Sequence, residues 1–309
     1  MKQNKPLVSV IMPVYNSGEF LDPAISSILN QTYPNLELII VNDASTDNSG
    51  KIIAKYERLD KRVRATTLKH NVNQGGDAAG NIGYKLAKGK YVARMDGDDI
   101  AEPTRIEKQV VYMEQHPRVA VLGTQAKVID REGKVVGVKN VPTSHADILR
   151  EFFTFHPMIH PTVMVRKSMI KREQLYQTDY HANNDYLTFF GLITSGAKFA
   201  NLDEPLLLYR IHGENDSLAH VKRNFINSLK IRYRAVTQMG YIPNINSMLK
   251  LLVQAGIVFV LPQRITIELY YRIRGIKPWV KLPYPGRDSF VRLKTYVEAS
   301  LASIIALVR

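Results

Sequence analysis

The chain has 309 residues, 45% of them hydrophobic, and a formal net charge of +14 with no cysteine. That length holds one large domain or two ordinary ones, and the composition is that of a globular protein. Disulfides and thiolate zinc sites are excluded, and a reducing cytosol fits. The first apolar run, "LVSVIMPVY", is broken by Pro13 and followed by no small-residue cleavage site, so it does not read as a signal peptide.

Residues 7–15 read as a strand, and the pattern predicts a helix from Glu19 to Asn30. "LELIIVN" (36–42) is a second strand, and "STDNSGKIIAKYERL" a helix opened by capping residues, with Asp47 as the cap. "RVRATTL" (62–68) is a third strand, and "AAGNIGYKLAKG" a helix closed by Gly89. "YVARM" (91–95) is the fourth strand; Pro103 fits the first turn of a helix running to about His116, and "VAVLGTQAKVI" is another strand. This alternation predicts a parallel sheet with helices on both faces, with ligands beyond the carboxyl ends of the strands.

From Val141 the pattern changes. "SHADILREFFTF" reads as helix, "HPTVMVRK" as strand, "NNDYLTFFGLITSG" as helix, and "AKFANL" and "PLLLYRI" as two strands. After Asp216 the chain is helical and basic: from Val221 onward 15 Lys/Arg stand against three acids, leaving +12 in the last 89 residues. Such a tail suits an anionic membrane, nucleic acid or an acidic ligand.

"YVARMDGDDI" places Asp96, Asp98 and Asp99 within four positions at a strand end. Carboxylates this close repel and raise one another's pKa. A D-x-D at a strand end is a usual way to hold Mg²⁺ or Mn²⁺, which takes oxygen ligands and completes its shell with phosphates and water. The alternative is a polar turn with a helix N-cap.

Three strings, "VSVIMPVYN", "QTYPNLELIIVNDASTDNS" and "NIGYKLAKGKYVARMDGDDIAEPTRIEKQ", occur in order, each at a strand end. In order and spacing they resemble the family 2 glycosyltransferases of bacterial polysaccharide and O-antigen type, and the resemblance covers roughly residues 6–215. It implies the GT-A fold, a Rossmann-like mixed α/β sheet flanked by helices. The catalytic domain would be 1–216, with a nucleotide-sugar half (1–130) and an acceptor half (131–216), followed by a basic helical extension over 217–309.

The resemblance also implies roles. Pro13, Val14 and Tyr15 would lie along the nucleoside, and Asp43 would accept the ring NH of uracil from a UDP-sugar. Asp98 would ligate a Mn²⁺ or Mg²⁺ bridging the two phosphates. Asp96 would contact ribose or support the metal, and Asp99 would cap the next helix. Asp185, in "HANNDYLTFF", would be the base; read from the residues alone, Asn183 or Asn184 caps a helix and Asp185 is a first-turn acid favoured by its dipole. His160, in preference to His156, would touch donor sugar or acceptor. Arg210 and His212 would reach the pyrophosphate or the metal. One departure stands out: the family's A-R-N-x-G string reads Ala79-Gly80-Asn81-Ile82-Gly83 here, and Lys69, Arg94 or the basic tail are candidates to compensate.

In the tail, the apolar run 251–261 is too short to span a bilayer, which needs about 20 residues. In "RITIELYYRIRGIKPWVK", Ile265, Leu269, Ile273 and Ile276 fall at helical spacing. That suits a helix lying in an anionic membrane surface, or one packed on the catalytic domain or a second subunit. The expected activity is inverting, metal-dependent transfer of a hexose or N-acetylhexosamine to a lipid-linked or oligosaccharide acceptor. It would take place in the cytoplasm, at the inner face of the cell membrane, without nucleic acid. A sugar-1-phosphate nucleotidyltransferase would need a glycine-rich loop after the first strand, where "PVYNSGEF" has one glycine. A basic nucleic-acid-binding protein would leave the acidic crevice unexplained.

Overall fold

The computed structural model describes residues 5–68, 73–170, 172–180, 182–212, 220–262 and 265–269. Most of the amphipathic tail segment read from the sequence, including Tyr270, Ile273, Ile276 and Trp279, therefore lies outside the described residues, as does Lys69.

The first half alternates as expected: β1 (Val8–Val14), α1 (Leu21–Leu29), β2 (Leu36–Asn42), α2 (Ser49–Leu59), β3 (Val63–Thr67), α3 (Gly76–Leu86), β4 (Tyr91–Arg94). A short β5 (Ile100–Ala101), α4 (Arg105–Gln115), β6 (Val119–Ile129) and β7 (Val135–Lys139) follow. The second half holds α5 (His145–Glu151), β8 (Met164–Arg166), α6 (Asn184–Thr194) and β9 (Lys198–Arg210), then α7 (Val221–Gln238) and α8 (Ile245–Val260).

The strands form one sheet in the order β3-β2-β1-β4-β8-β6-β9-β5, with β7 paired to β6. Strands β1 to β4 are parallel to one another. β8 enters antiparallel between β4 and β6, so the sheet is mixed. This reversal positions the site: the residues just before β8 arrive at the same rim as those just after β4. β6 and β9 are parallel to each other, so the end of β9 reaches that rim too.

Alternation along the strands builds a core on each face. Val8, Val10 and Met12 pack with Leu21, Ile25 and Ile28 of α1 and Ile106 and Met113 of α4. Ile11, Ile39 and Val41 face the other way, toward Ala79 and Tyr84 of α3, with Ile148, Leu187, Phe189 and Phe190 on the same side.

Four local expectations change. "AKFANL" and "PLLLYRI" form one strand of 13 residues, β9; irregular register against β6 around Thr124 and Gln125 accommodates Pro205, which has no N–H to donate. "HPTVMVRK" opens as a single 3₁₀ turn, His160–Thr162, before β8. Gly89 does not cap α3, which ends at Leu86 with Ala87 as its extended cap. A Cβ on Gly89 would come within 2.6 Å of the Ser9 nitrogen, so its value is close approach of the chain to β1. Pro103 precedes α4 instead of lying within its first turn.

α7 and α8 pack on the second half, against α5 and α6. Arg232 is 4% exposed and donates to the Phe153 and Thr154 carbonyls at 2.6 and 2.9 Å. Tyr241 lies against Phe153 and Phe190. Among the described residues no helix is long and apolar enough to cross a membrane.

Candidate active site

A cavity of about 860 Å³ opens at the rim where β1, β4 and β9 end and β8 begins. Its wall brings together Tyr15, Asp96, Asp98, His160, Asp185 and His212, six residues singled out from the sequence. Pro13, Val14, Asp43 and Arg210 are not on that wall. Pro13 and Val14 are buried in β1. Of the three non-glycine residues with positive φ among those described, Asn16 adjoins Tyr15, Ala44 adjoins Asp43, and Asn183 lies two residues before Asp185. Strained backbone of this kind gathers at functional loops.

Asp43 is 2% exposed, and its Oδ2 accepts from the Gln74 and Gly75 amides at 2.9 and 3.0 Å. Its Oδ1 is buried and lacks a hydrogen-bond partner among the described residues. An orphaned carboxylate oxygen is costly, and it is suited to accept an N–H from a ligand.

In the acid loop the three aspartates separate by environment. Asp96 Oδ1 accepts from Arg94 Nε at 2.8 Å. Asp98 Oδ2 lies 3.1 Å from His212 Nε2, and both side chains face the cavity. Asp99 is 1% exposed and does not cap α4; its Oδ1 accepts the Arg210 amide at 2.8 Å, tying the loop to β9. Burial, then the charges of Asp98 and Asp96, push the Asp99 carboxyl well above the usual range. Arg210 stacks over Phe20 and donates to the carbonyls of Asp98, Asp130 and Arg131. Its guanidinium is engaged in shaping the loop, behind the wall that His212 reaches. Asp47 precedes α2 by two residues, and its carboxylate bridges the Ser49 and Gly18 amides at 2.9 and 2.8 Å, so it fastens the β1–α1 loop as well as the helix start.

Asp185 lies in the first turn of α6, whose dipole favours a negative charge. Neither asparagine before it acts as a cap. Asn183 is left-handed and reaches across to the Asn224 carbonyl of α7, and Asn184 bonds the Tyr180 backbone. Asp185 Oδ2 is 3.1 Å from His156 Nε2, off the line of a good hydrogen bond, and 3.8 Å from His160 Nδ1. Burial is the largest single influence and opposes its charge, but the His156 and His160 rings and the Tyr186 amide together hold the carboxyl below the usual range. Burial pushes His160 down to about 4, so it is neutral near pH 7.

Several contributors were not legible locally. His156 sits closer to Asp185 than His160 does. Asp77 of α3 lies 4.0 Å from His160, and burial followed by the Asp185 charge pushes its carboxyl up to about 7. Arg105, fully buried beneath the acids, donates to the Arg94 carbonyl at 2.7 Å. Ser228 and Arg232 of α7 and Lys139 of β7 also line the cavity; only their basic or polar character hinted at this.

For a divalent cation, Asp98 and His212, with Asp96 beside them, offer carboxylate oxygen and imidazole nitrogen. That donor set suits Mn²⁺ or Mg²⁺ completed by phosphates and water. No preformed cluster of three or more His, Asp or Glu ligands stands ready among the described residues.

The chain is thus an α/β protein with a polar, acid-lined cavity at one rim of its mixed sheet. The model of glycosyl transferase family 2 matches residues 9–173, and the chain belongs to that family. A glycosyltransferase of Haemophilus influenzae is 35% identical over 76% of this chain and 75% of its own. The Escherichia coli O-antigen biosynthesis glycosyltransferase WbnJ is 33% identical over 68% and 81%. Among solved structures, Staphylococcus aureus TarS 1–349 with UDP-GlcNAc superposes at TM-score 0.63, 19% identity, over 86% of this chain and 78% of that one. The Pyrobaculum calidifontis mannosyltransferase PcManGT, with GDP-Man and Mn²⁺, superposes at 0.54, 17% identity, over 99% and 87%. The shared architecture is the GT-A fold.

Proposed function

We propose that this chain is an inverting transferase that moves a hexosyl or N-acetylhexosaminyl group from a nucleotide-sugar to a sugar hydroxyl. The acceptor is a lipid-linked sugar or an oligosaccharide in cell-surface polysaccharide synthesis. What carries the reading is one cavity lined both by Asp96, Asp98 and His212 and by Asp185. A site for a leaving diphosphate and a base in one chamber suit a single displacement.

Asp185, ionised and held next to two imidazoles, takes the proton of the acceptor hydroxyl as its oxygen attacks the anomeric carbon. General-base catalysis of this type contributes about 10²–10⁴ in rate. The bond from that carbon to the diphosphate oxygen breaks, and the nucleoside diphosphate leaves from the Asp96–Asp98 side. Asp98, Asp96 and His212 are the residues that would hold a divalent cation, which when bound neutralises charge on the departing diphosphate. Asp43, with one oxygen unpartnered, is the acceptor for a ring NH of the base; uracil presents one, which favours a UDP-sugar. Tyr15, half-exposed at the rim, flanks the nucleoside. α8, whose one charged residue is Lys250, leaves Ile245, Met248, Leu249, Leu252, Phe259 and Val260 exposed after the basic α7, which supports attachment to the inner face of the cell membrane.

A panel of nucleotide-sugars assayed for nucleoside diphosphate release, with and without Mn²⁺ and with a lipid-pyrophosphate sugar acceptor, tests the proposal. Acceptor-stimulated, Mn²⁺-dependent release from a UDP-sugar is expected. Release from no nucleotide-sugar under any of these conditions would refute it.

A further inference from the structure

Arg94 is one of the buried cations to which the catalytic scheme gives no task. Arg94, at the end of β4, is 7% exposed. Its Nε donates to Asp96 Oδ1 at 2.8 Å and its Nη1 to the Gly76 carbonyl at 2.9 Å, and the guanidinium lies 5.9 Å from the centre of the Tyr176 ring. A charge this deep is tolerated only when paired and hydrogen-bonded.

The fold clears a place for it. Gly76 and Gly80 lie one turn apart on the same face of α3. A Cβ on Gly76 would come 3.0 Å from Arg94 Nη2; one on Gly80 would come 2.8 Å from Nη1 and 2.9 Å from Tyr176 Cε2. Neither glycine has a positive φ, so backbone freedom is not why they are there. Glycine within a helix costs about 1 kcal/mol relative to alanine, and the guanidinium accounts for Gly80 despite that cost.

The contacts continue past Arg94. Asn81, next along α3, clamps the Tyr176 backbone with bonds of 2.9 and 2.8 Å. The Tyr176 hydroxyl is 2.9 Å from His160 Nε2, and His160 Nδ1 is 3.8 Å from Asp185 Oδ2. A continuous series of side chains thus runs from Asp96 to Asp185.

We propose that Arg94, seated in the two-glycine slot of α3, is a positioning residue that aims Asp96 at the donor and, through Tyr176 and His160, holds the base on the acceptor side in register with it. This rests on the function proposed above. The two ends have separable effects. The guanidinium governs how the donor is held, because it orients Asp96. The Tyr176 hydroxyl governs turnover, because it orients His160 beside Asp185.

The test uses the full chain with Gly80→Ala, Arg94→Lys and Tyr176→Phe. Thermal unfolding is measured first, then binding of UDP and GDP with Mn²⁺ by calorimetry, then KM and kcat with the donor the unmodified chain turns over. Gly80→Ala and Arg94→Lys are expected to weaken nucleoside diphosphate binding about tenfold, equivalent to ~1.4 kcal/mol, and to raise donor KM. Tyr176→Phe is expected to keep that affinity within about twofold and to lower kcat about tenfold, less than the 10²–10⁴ that loss of the base itself would cost. Gly80→Ala separates positioning from folding, since alanine favours the helix while it displaces the guanidinium. Unchanged affinity in both Gly80→Ala and Arg94→Lys would overturn the inference, as would an unchanged kcat in Tyr176→Phe. An unmodified chain that bound neither diphosphate would instead remove the function proposed above, and this inference with it.

Discussion

Replacing Asp77 with asparagine removes one charge from the buried wall between α3 and α6 while keeping the shape of the side chain. Burial, and then the nearby Asp185 carboxylate, push the Asp77 carboxyl up to about 7. In the unfolded chain it titrates near 3.9. Because the folded value is the higher one, stability is fully present below about pH 4 and is lost as pH rises through about 7, where the native state must ionise a group it disfavours. About three pKa units at ~1.4 kcal/mol each give an upper bound of ~4 kcal/mol. Since 18% of the side chain still meets solvent, screening reduces the expected figure to about 2 kcal/mol. Asp77→Asn should therefore be more stable than the unmodified chain at pH 8.5, with only about a third of that gain present at pH 5. At roughly 2–4 °C per kcal/mol for a chain of this size, the gain at high pH is about 4–8 °C in melting temperature. Melting curves of both proteins across pH 5–9 measure it. Two curves running parallel across that range would refute the reasoning.

Other outcomes follow from the same geometry. Asp185→Ala should abolish transfer, a loss of about 10²–10⁴ or more, while leaving Mn²⁺-dependent UDP binding nearly intact by calorimetry. Asp98→Ala should abolish transfer and also weaken that binding, so the two variants separate in the same titration. Gly83→Ala would bring a Cβ to 2.4 Å from Ile11 Cγ2, where α3 meets β1; overpacking of this kind should destabilise by about 1–3 kcal/mol in a denaturant titration, against the sign of helix propensity. Arg232→Ala strips the Phe153 and Thr154 carbonyls of their donor, and an unsatisfied buried group should lower stability by about 1–3 kcal/mol each.

The sequence carries the first half of the fold plainly, because its evidence is local. The apolar runs of β1, β2 and β4 alternate with amphipathic helices, and the acids fall just after strands whose parallel order puts their ends together. What it does not carry depends on long-range contact. Asp99 has the look of a helix cap, but its partner is the Arg210 amide, 111 residues away. His156 carries no mark that sets it above His160; only the placement of α6 brings it to Asp185. Gly80 is visible as a departure from the family pattern, yet its reason is a guanidinium 14 positions later in β4. β9 is hidden because Asp203, Glu204 and Pro205 interrupt its apolar pattern.

α7 supplies Ser228 and Arg232 to the cavity wall while covering the aromatic cluster of Phe153, Tyr186 and Phe190. A chain cut just after β9 would not yield a trimmed-down catalyst. It would uncover oily rings to water and leave the chamber without one of its panels. On the function proposed above, grafting this helix from one relative onto another is a way to alter which acceptor is admitted.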